Sequence, residues 1–150
     1  MKRGKRVFIL LVTILSIGVS AAQETKTLTG RIISEDLEIL PKAMIYDMDT
    51  TLLGSTDLDG YFKLDIPVQA NELLLGYVGM EWTSVKIQQS CEKLEMVIMY
   101  AVTYDFTTAK KIKKKRYKRF KQLPKKHSEA YELGIFTTSS PCVNYVFSEY

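Results

Sequence analysis

Gly54-Ser55-Thr56-Asp57-Leu58-Asp59-Gly60-Tyr61-Phe62 is the stretch that decides the fold. Asp59-Gly60 is a strong turn signal, because both residues tolerate positive φ and Asp hydrogen-bonds its own backbone. Directly behind it, Tyr61 to Ile66 places Phe62, Leu64 and Ile66 on one face and Tyr61, Lys63 and Asp65 on the other. A period of two marks a half-buried strand. The turn residues Asp57, Asp59 and Gly60 are therefore expected to be structural.

Working outward, the segment from Thr27 to Tyr100 continues in the same manner. Leu28–Ile33 reads as a first strand, with Leu28, Gly30 and Ile32 on one face. Ala43–Asp47 forms a second, and Leu52–Thr56 a short third. The strand Tyr61–Ile66 ends at Pro67, which has no N–H to continue a ladder. Glu72–Val78 is nearly continuous in apolar residues and predicts a strand buried on both faces. Trp82–Ile87 and Leu94–Tyr100 complete the set. Seven short strands separated by turn signals predict a mainly β protein of the sandwich class.

These residues carry a resemblance. The order Gly30-x-Ile32, Leu40-Pro41-x-Ala43-x-Ile45, Gly54-x-Thr56-Asp57-x-Asp59-Gly60-x-Phe62-x-Leu64-x-Ile66-Pro67, Leu73-x-Leu75 and Tyr77-Val78-Gly79-x-Glu81 resembles the carboxypeptidase-regulatory-like family. The resemblance implies a transthyretin-like, seven-stranded Greek-key β-sandwich, to which the basic run beyond it adds a C-terminal helical extension. Such domains are common in exported Bacteroidetes proteins, often ahead of outer-membrane receptors of the TonB-dependent type. It also implies an accessory module without catalytic residues; in the carboxypeptidases that name the family, the zinc sits in another domain. The sequence departs from the family where the first hairpin usually has glycines: Leu37 and Lys42 stand there.

The N-terminus has a different character. Lys2, Arg3, Lys5 and Arg6 precede an apolar run from Val7 to Val19, and Ser20-Ala21-Ala22 supplies small residues before Gln23. The pattern predicts a cleaved signal peptide over 1–22. The run is short for a membrane anchor, which needs about 20 apolar residues. No Cys follows it, which argues against a lipoprotein. The expected organisation is thus a sandwich over 23–104 and a basic extension with an apolar tail over 105–150, exported to the periplasm or outer membrane.

The whole chain of 150 residues carries a formal charge of +4, but the charge is segregated. Gln23 to Ala109 holds 6 Lys and Arg against 14 Asp and Glu, whereas Lys110 to Lys126 holds 11 basic residues and no acid. Ile112, Phe120 and Leu123 recur within the basic run and predict an amphipathic helix from about Thr108 to Leu123, stopped by Pro124. Packing on the sandwich, with the charges solvated or facing its acidic surface, is the expected role. Peripheral contact with an anionic membrane through Lys113, Lys114, Lys118 and Lys121 is the second reading. Export makes nucleic acid an improbable partner. A short helix is expected from Ser128, as N-cap, to Gly134. The apolar tail Cys142–Phe147 is expected to pack back or to dock a partner.

Candidate chemistry is sparse. Asp57-x-Asp59-Gly60 resembles the opening of a calcium loop, but the further oxygen ligands are missing and Val68 stands at the twelfth position. His127 is the single histidine, too few for a zinc site of recognisable pattern, and is expected to be a solvated linker residue. No nucleophile elbow or phosphate loop occurs. The expectation is a protein that is not an enzyme and has no cofactor. Cys91 and Cys142 leave a bridge and two separate thiols equally open. Three functions therefore stand: an accessory module contacting an unknown envelope protein; a carbohydrate-binding module using Trp82, Tyr61 and Tyr46; and an unrecognised hydrolase.

Overall fold

The computed structural model describes residues 24–148. The expected signal peptide, and Gln23 after it, lie outside the described residues. In chain order the elements are β1 (Thr25–Ser34), β2 (Met44–Tyr46), β3 (Leu52–Ser55), β4 (Tyr61–Pro67), β5 (Glu72–Gly76), β6 (Thr83–Ile87), β7 (Lys93–Ile98), α1 (Ala109–Phe120), α2 (Leu123–Glu132) and β8 (Val143–Val146). They make two sheets, one ordered β4-β1-β7 and the other β3-β2-β5-β6-β8. The apolar tail thus packs back, as a strand antiparallel to β6. The segment after residue 104 thereby shares a sheet with the segment before it.

The central turn holds its strand as its residues require. Gly60 has φ +78°, and a Cβ there would lie 2.9 Å from the Ile32 carbonyl oxygen. One Asp57 carboxylate oxygen accepts the backbone N–H groups of Asp59 and Tyr61 at 2.9 and 2.8 Å. That oxygen closes the loop itself, the ordinary use of Asp in a turn. Leu28, Ile32, Phe62, Leu64 and Ile66 then meet Ile45, Leu73, Leu75 and Val85 in a core between the sheets. Leu37 and Lys42 adopt φ of 66° and 63°, so both residues that replace glycines take the left-handed conformation.

A second core lies outside the first. Ile33, Val97 and Met99 project from the far side of the three-stranded sheet and are covered by Leu123, Ala130 and Phe136. Two expectations are corrected here. β5 is buried on one face only, with Leu74 half-buried outside. The strand buried on both faces is β7, Leu94 to Ile98, because α2 packs on it. The helix expected from Ser128 begins instead at Leu123, with Pro124 in its first turn, where a missing N–H costs nothing. Ser128 is inside it and bonds the Pro124 carbonyl. Its C-terminus closes with Gly134 N–H on Tyr131 O and Ile135 N–H on Ala130 O, the Schellman pattern.

Candidate interaction surfaces

Helix α1 runs Ala109–Phe120, close to its expected span, and none of its residues is fully buried. Its two arginines, three residues apart, share the face turned to the sandwich. Arg116 grips Glu81 bidentately, Nε to Oε1 at 3.0 Å and Nη2 to Oε2 at 2.8 Å. Arg119 pairs with Glu35 and donates to the Tyr100 carbonyl at 2.9 Å. Fork-shaped guanidinium groups suit such partly buried carboxylates better than lysine does. The acidic sandwich is therefore met by arginine.

The lysines stand elsewhere. Lys113, Lys114, Lys118 and Lys121 are all exposed. Lys110, Lys113 and Lys114 rim an open cleft of about 370 Å³ with Tyr117 and Phe147. Tyr117, Phe120 and Phe147 form one aromatic cluster, with Phe147 edge-on to both at 5.1 and 5.2 Å. Lysines repeat at i, i+4 along Lys110, Lys114 and Lys118, and each such like-charge pair costs a few tenths of a kcal/mol. No acid stands in the first turn, where Lys110 and Lys111 oppose the helix dipole. The helix is held by its arginines and aromatics; Lys110 and Lys111 work against it, whereas Lys118 in the last turn favours the dipole.

A second surface is the outer face of the five-stranded sheet. Cross-strand neighbours Leu52, Tyr46, Leu74, Ser84 and Val146 form one row over all five strands. Trp82, 57 % exposed, lies beside it. The Trp82 ring rests on Gly76, where a Cβ would come within 2.5 Å of it, and lies 5.6 Å from the Tyr46 ring at 56°. The three aromatics proposed for a glycan are thereby divided. Tyr46 and Trp82 meet, but Tyr61 is on β4 of the other sheet, under the Arg31 guanidinium at 4.6 Å.

His127 corrects a further expectation. It is fully buried in α2, 4.8 Å from the Phe136 ring, because the helix starts earlier than its sequence suggested. Nε2 lies 2.9 Å from the Thr138 carbonyl and so carries the proton, leaving Nδ1 without a partner. Burial lowers its pKa below 6.5. Nearby Glu95, also buried, accepts the N–H and hydroxyl groups of both Thr137 and Thr138 at 2.7–3.0 Å. Burial alone raises its pKa, but these bonds outweigh burial and hold it below 4.5. The Thr138 hydroxyl donates to Glu95 and the His127 proton goes to a carbonyl, so the trio forms no proton relay. It fastens the β8 approach to β7. Sequence reasoning missed it because its members are spread over 95 to 138.

A disulfide joins Cys91 to Cys142, with Cα atoms 6.0 Å apart. Among the described residues no group of three or more His, Cys, Asp or Glu converges as a metal site, and no helix is long and apolar enough to cross a membrane.

The comparisons with known proteins come to one match. A family model described as the CarboxypepD_reg-like domain covers residues 28–108. No curated protein and no solved structure matches the chain. The matched region ends at Thr108, the N-cap of α1, so both helices and β8 lie beyond it.

Proposed function

Since the chain belongs to the CarboxypepD_reg-like domain family, we propose that it acts as a non-catalytic interaction module of the cell envelope, exported and docking a partner protein. The family supports a regulatory or interaction role rather than catalysis. The observation that carries the docking surface is the uncovered apolar row on the five-stranded sheet. The opposite sheet's outer face is covered by α2, whereas Leu52, Tyr46, Leu74 and Val146, with Trp82 alongside, face outward. Ser84 parts Val146 from the others, while Leu52, Tyr46 and Leu74 adjoin one another, and large exposed apolar patches mark protein contacts or ligand grooves. The family's seven-stranded Greek-key arrangement is the frame assumed for it.

Retention of envelope proteins on the immobilised chain tests the reading. A defined partner should be captured by the parent and by Tyr61→Ala, which alters the other sheet, and lost with Leu52→Ser combined with Trp82→Ser. Equal capture by all three would remove this face from consideration. The meeting of Tyr46 and Trp82 also favours a second reading, a glycan stacked on that pair. A glycan array with Trp82→Ala as control decides it, since no glycan retained by the parent excludes a carbohydrate ligand.

A further inference from the structure

We infer that the lysine face of α1, together with Phe106, is a peripheral docking surface for an anionic lipid bilayer. Three observations converge on it. The first is the division of labour in the helix: Arg116 and Arg119 answer the acids of the sandwich, while the lysines face out. Lys110, Lys114 and Lys118 form a row about 12 Å long at the α-helical rise. Complementing the sandwich does not explain them, because that task is already done by arginine.

The second observation is that like-charge i, i+4 neighbours along the row, and Lys110 with Lys111 at the positive end of the dipole, oppose the stability of the helix, only Lys118 in the last turn favouring the dipole. An opposing sheet of negative charge relieves both penalties at once. The third is Phe106, in the loop that feeds α1. It is fully exposed and sits at φ +53°, a conformation that bulky residues rarely adopt. Such strain persists only where the surroundings impose it, and it tends to sit at functional positions. Here it displays an apolar ring to solvent four residues before Lys110. An apolar prong close in sequence to clustered lysines is a composition that binds a bilayer interface: the ring enters the headgroup boundary and the lysines meet anionic headgroups. A soluble polyanion would use the lysines and gain nothing from Phe106.

Both cores lie within residues 24–148, so the protein beginning at Gln23 is the unit to test, free of the apolar N-terminal run. It is mixed with sedimenting vesicles of phosphatidylglycerol and phosphatidylcholine, or of phosphatidylcholine alone. Binding is expected only to the anionic vesicles, weakening from low salt to 0.15 M, where the Debye length is about 8 Å. Each of Lys110→Gln, Lys114→Gln and Lys118→Gln should weaken it about fivefold, the effect of ~1 kcal/mol per surface-facing charge. Phe106→Ser should weaken it with the salt dependence unchanged, and Lys63→Gln on β4 should leave it as it was. All of these residues are exposed, and removing Lys110 or Lys114 relieves the helix, so no variant should melt appreciably below the parent. Failure to bind anionic vesicles at low salt overturns the inference. So does equal binding to neutral vesicles, unchanged binding in the lysine variants, or a Phe106→Ser variant that binds like the parent, the last pointing to a soluble polyanion instead.

Discussion

Lys42 and Leu37 occupy the same backbone region for the same reason, yet they should respond oppositely to glycine. Left-handed backbone costs an L-residue roughly 1–2 kcal/mol, and glycine forfeits about 0.5–1 kcal/mol of chain entropy in exchange. Lys42 is exposed and its N–H bonds the Thr56 carbonyl in either case, so Lys42→Gly should raise stability by about 0.5 kcal/mol. Leu37 packs on the second core, and Leu37→Gly should instead lower stability by about 1 kcal/mol, since the lost apolar contact exceeds the relieved strain. Urea melts of both variants check the pair. Glu95 gives a pH signature. Its folded pKa is depressed, so its contribution is complete above 4.5 and is lost as pH falls through the folded value. Glu95→Gln should cost about 2–3 kcal/mol at neutral pH, the worth of bonds to a charged acceptor. The gap between parent and variant should close progressively in acid. At this scale the turn residues Asp57, Asp59 and Gly60 were legible, because their partners are within four positions in sequence. His127 was not, because burial is conferred by Phe136 and the strand beneath.

Among the elements, β8 is fastened by more than its ladder. The disulfide sits one residue before it, Glu95 holds Thr137 and Thr138 ahead of it, and the Tyr145 hydroxyl accepts the Val97 N–H at 2.8 Å. The bridge closes a loop with a sequence separation of 51, for which chain entropy gives about 4 kcal/mol. Cys91→Ser with Cys142→Ser, or reduction, should therefore lower the unfolding free energy by about 2–4 kcal/mol. Denaturant titration with and without reductant measures it. β4 was readable from its period of two, which one-sided burial imposes on it locally. The assignment of two-sided burial to the apolar run at β5 failed because a second covering layer is a tertiary matter. α2 arrives only after residue 122, and it chose β7. The helix boundary around Pro124 failed likewise, since proline serves as well to open a helix as to end one.

For the molecule as a whole, the formal charge conceals two populations of cation, and the distinction between them was only half legible. Segregation of the basic run from the acidic sandwich is plain in the sequence, but which cations turn inward depends on Glu35 and Glu81, distant in the chain. The apolar tail was readable as something that must be covered, and its destination was not, because pairing with β6 has no local signature. That pairing has a bearing on timing. β6 gains its outer neighbour from residues 143–146, so a nascent polypeptide presents an open strand edge and bare Val97 and Met99 until residues 109–146 have emerged. Unpaired edges of that kind recruit other copies. A protein ending at Thr108 retains every residue of the matched family region and still lacks both covers. It should scatter light and sediment as oligomers where the protein ending at Tyr150 stays monodisperse, and monodisperse behaviour of the shorter form would remove this dependence. Completion of the matched region therefore waits on residues that follow it in the chain, 109–146.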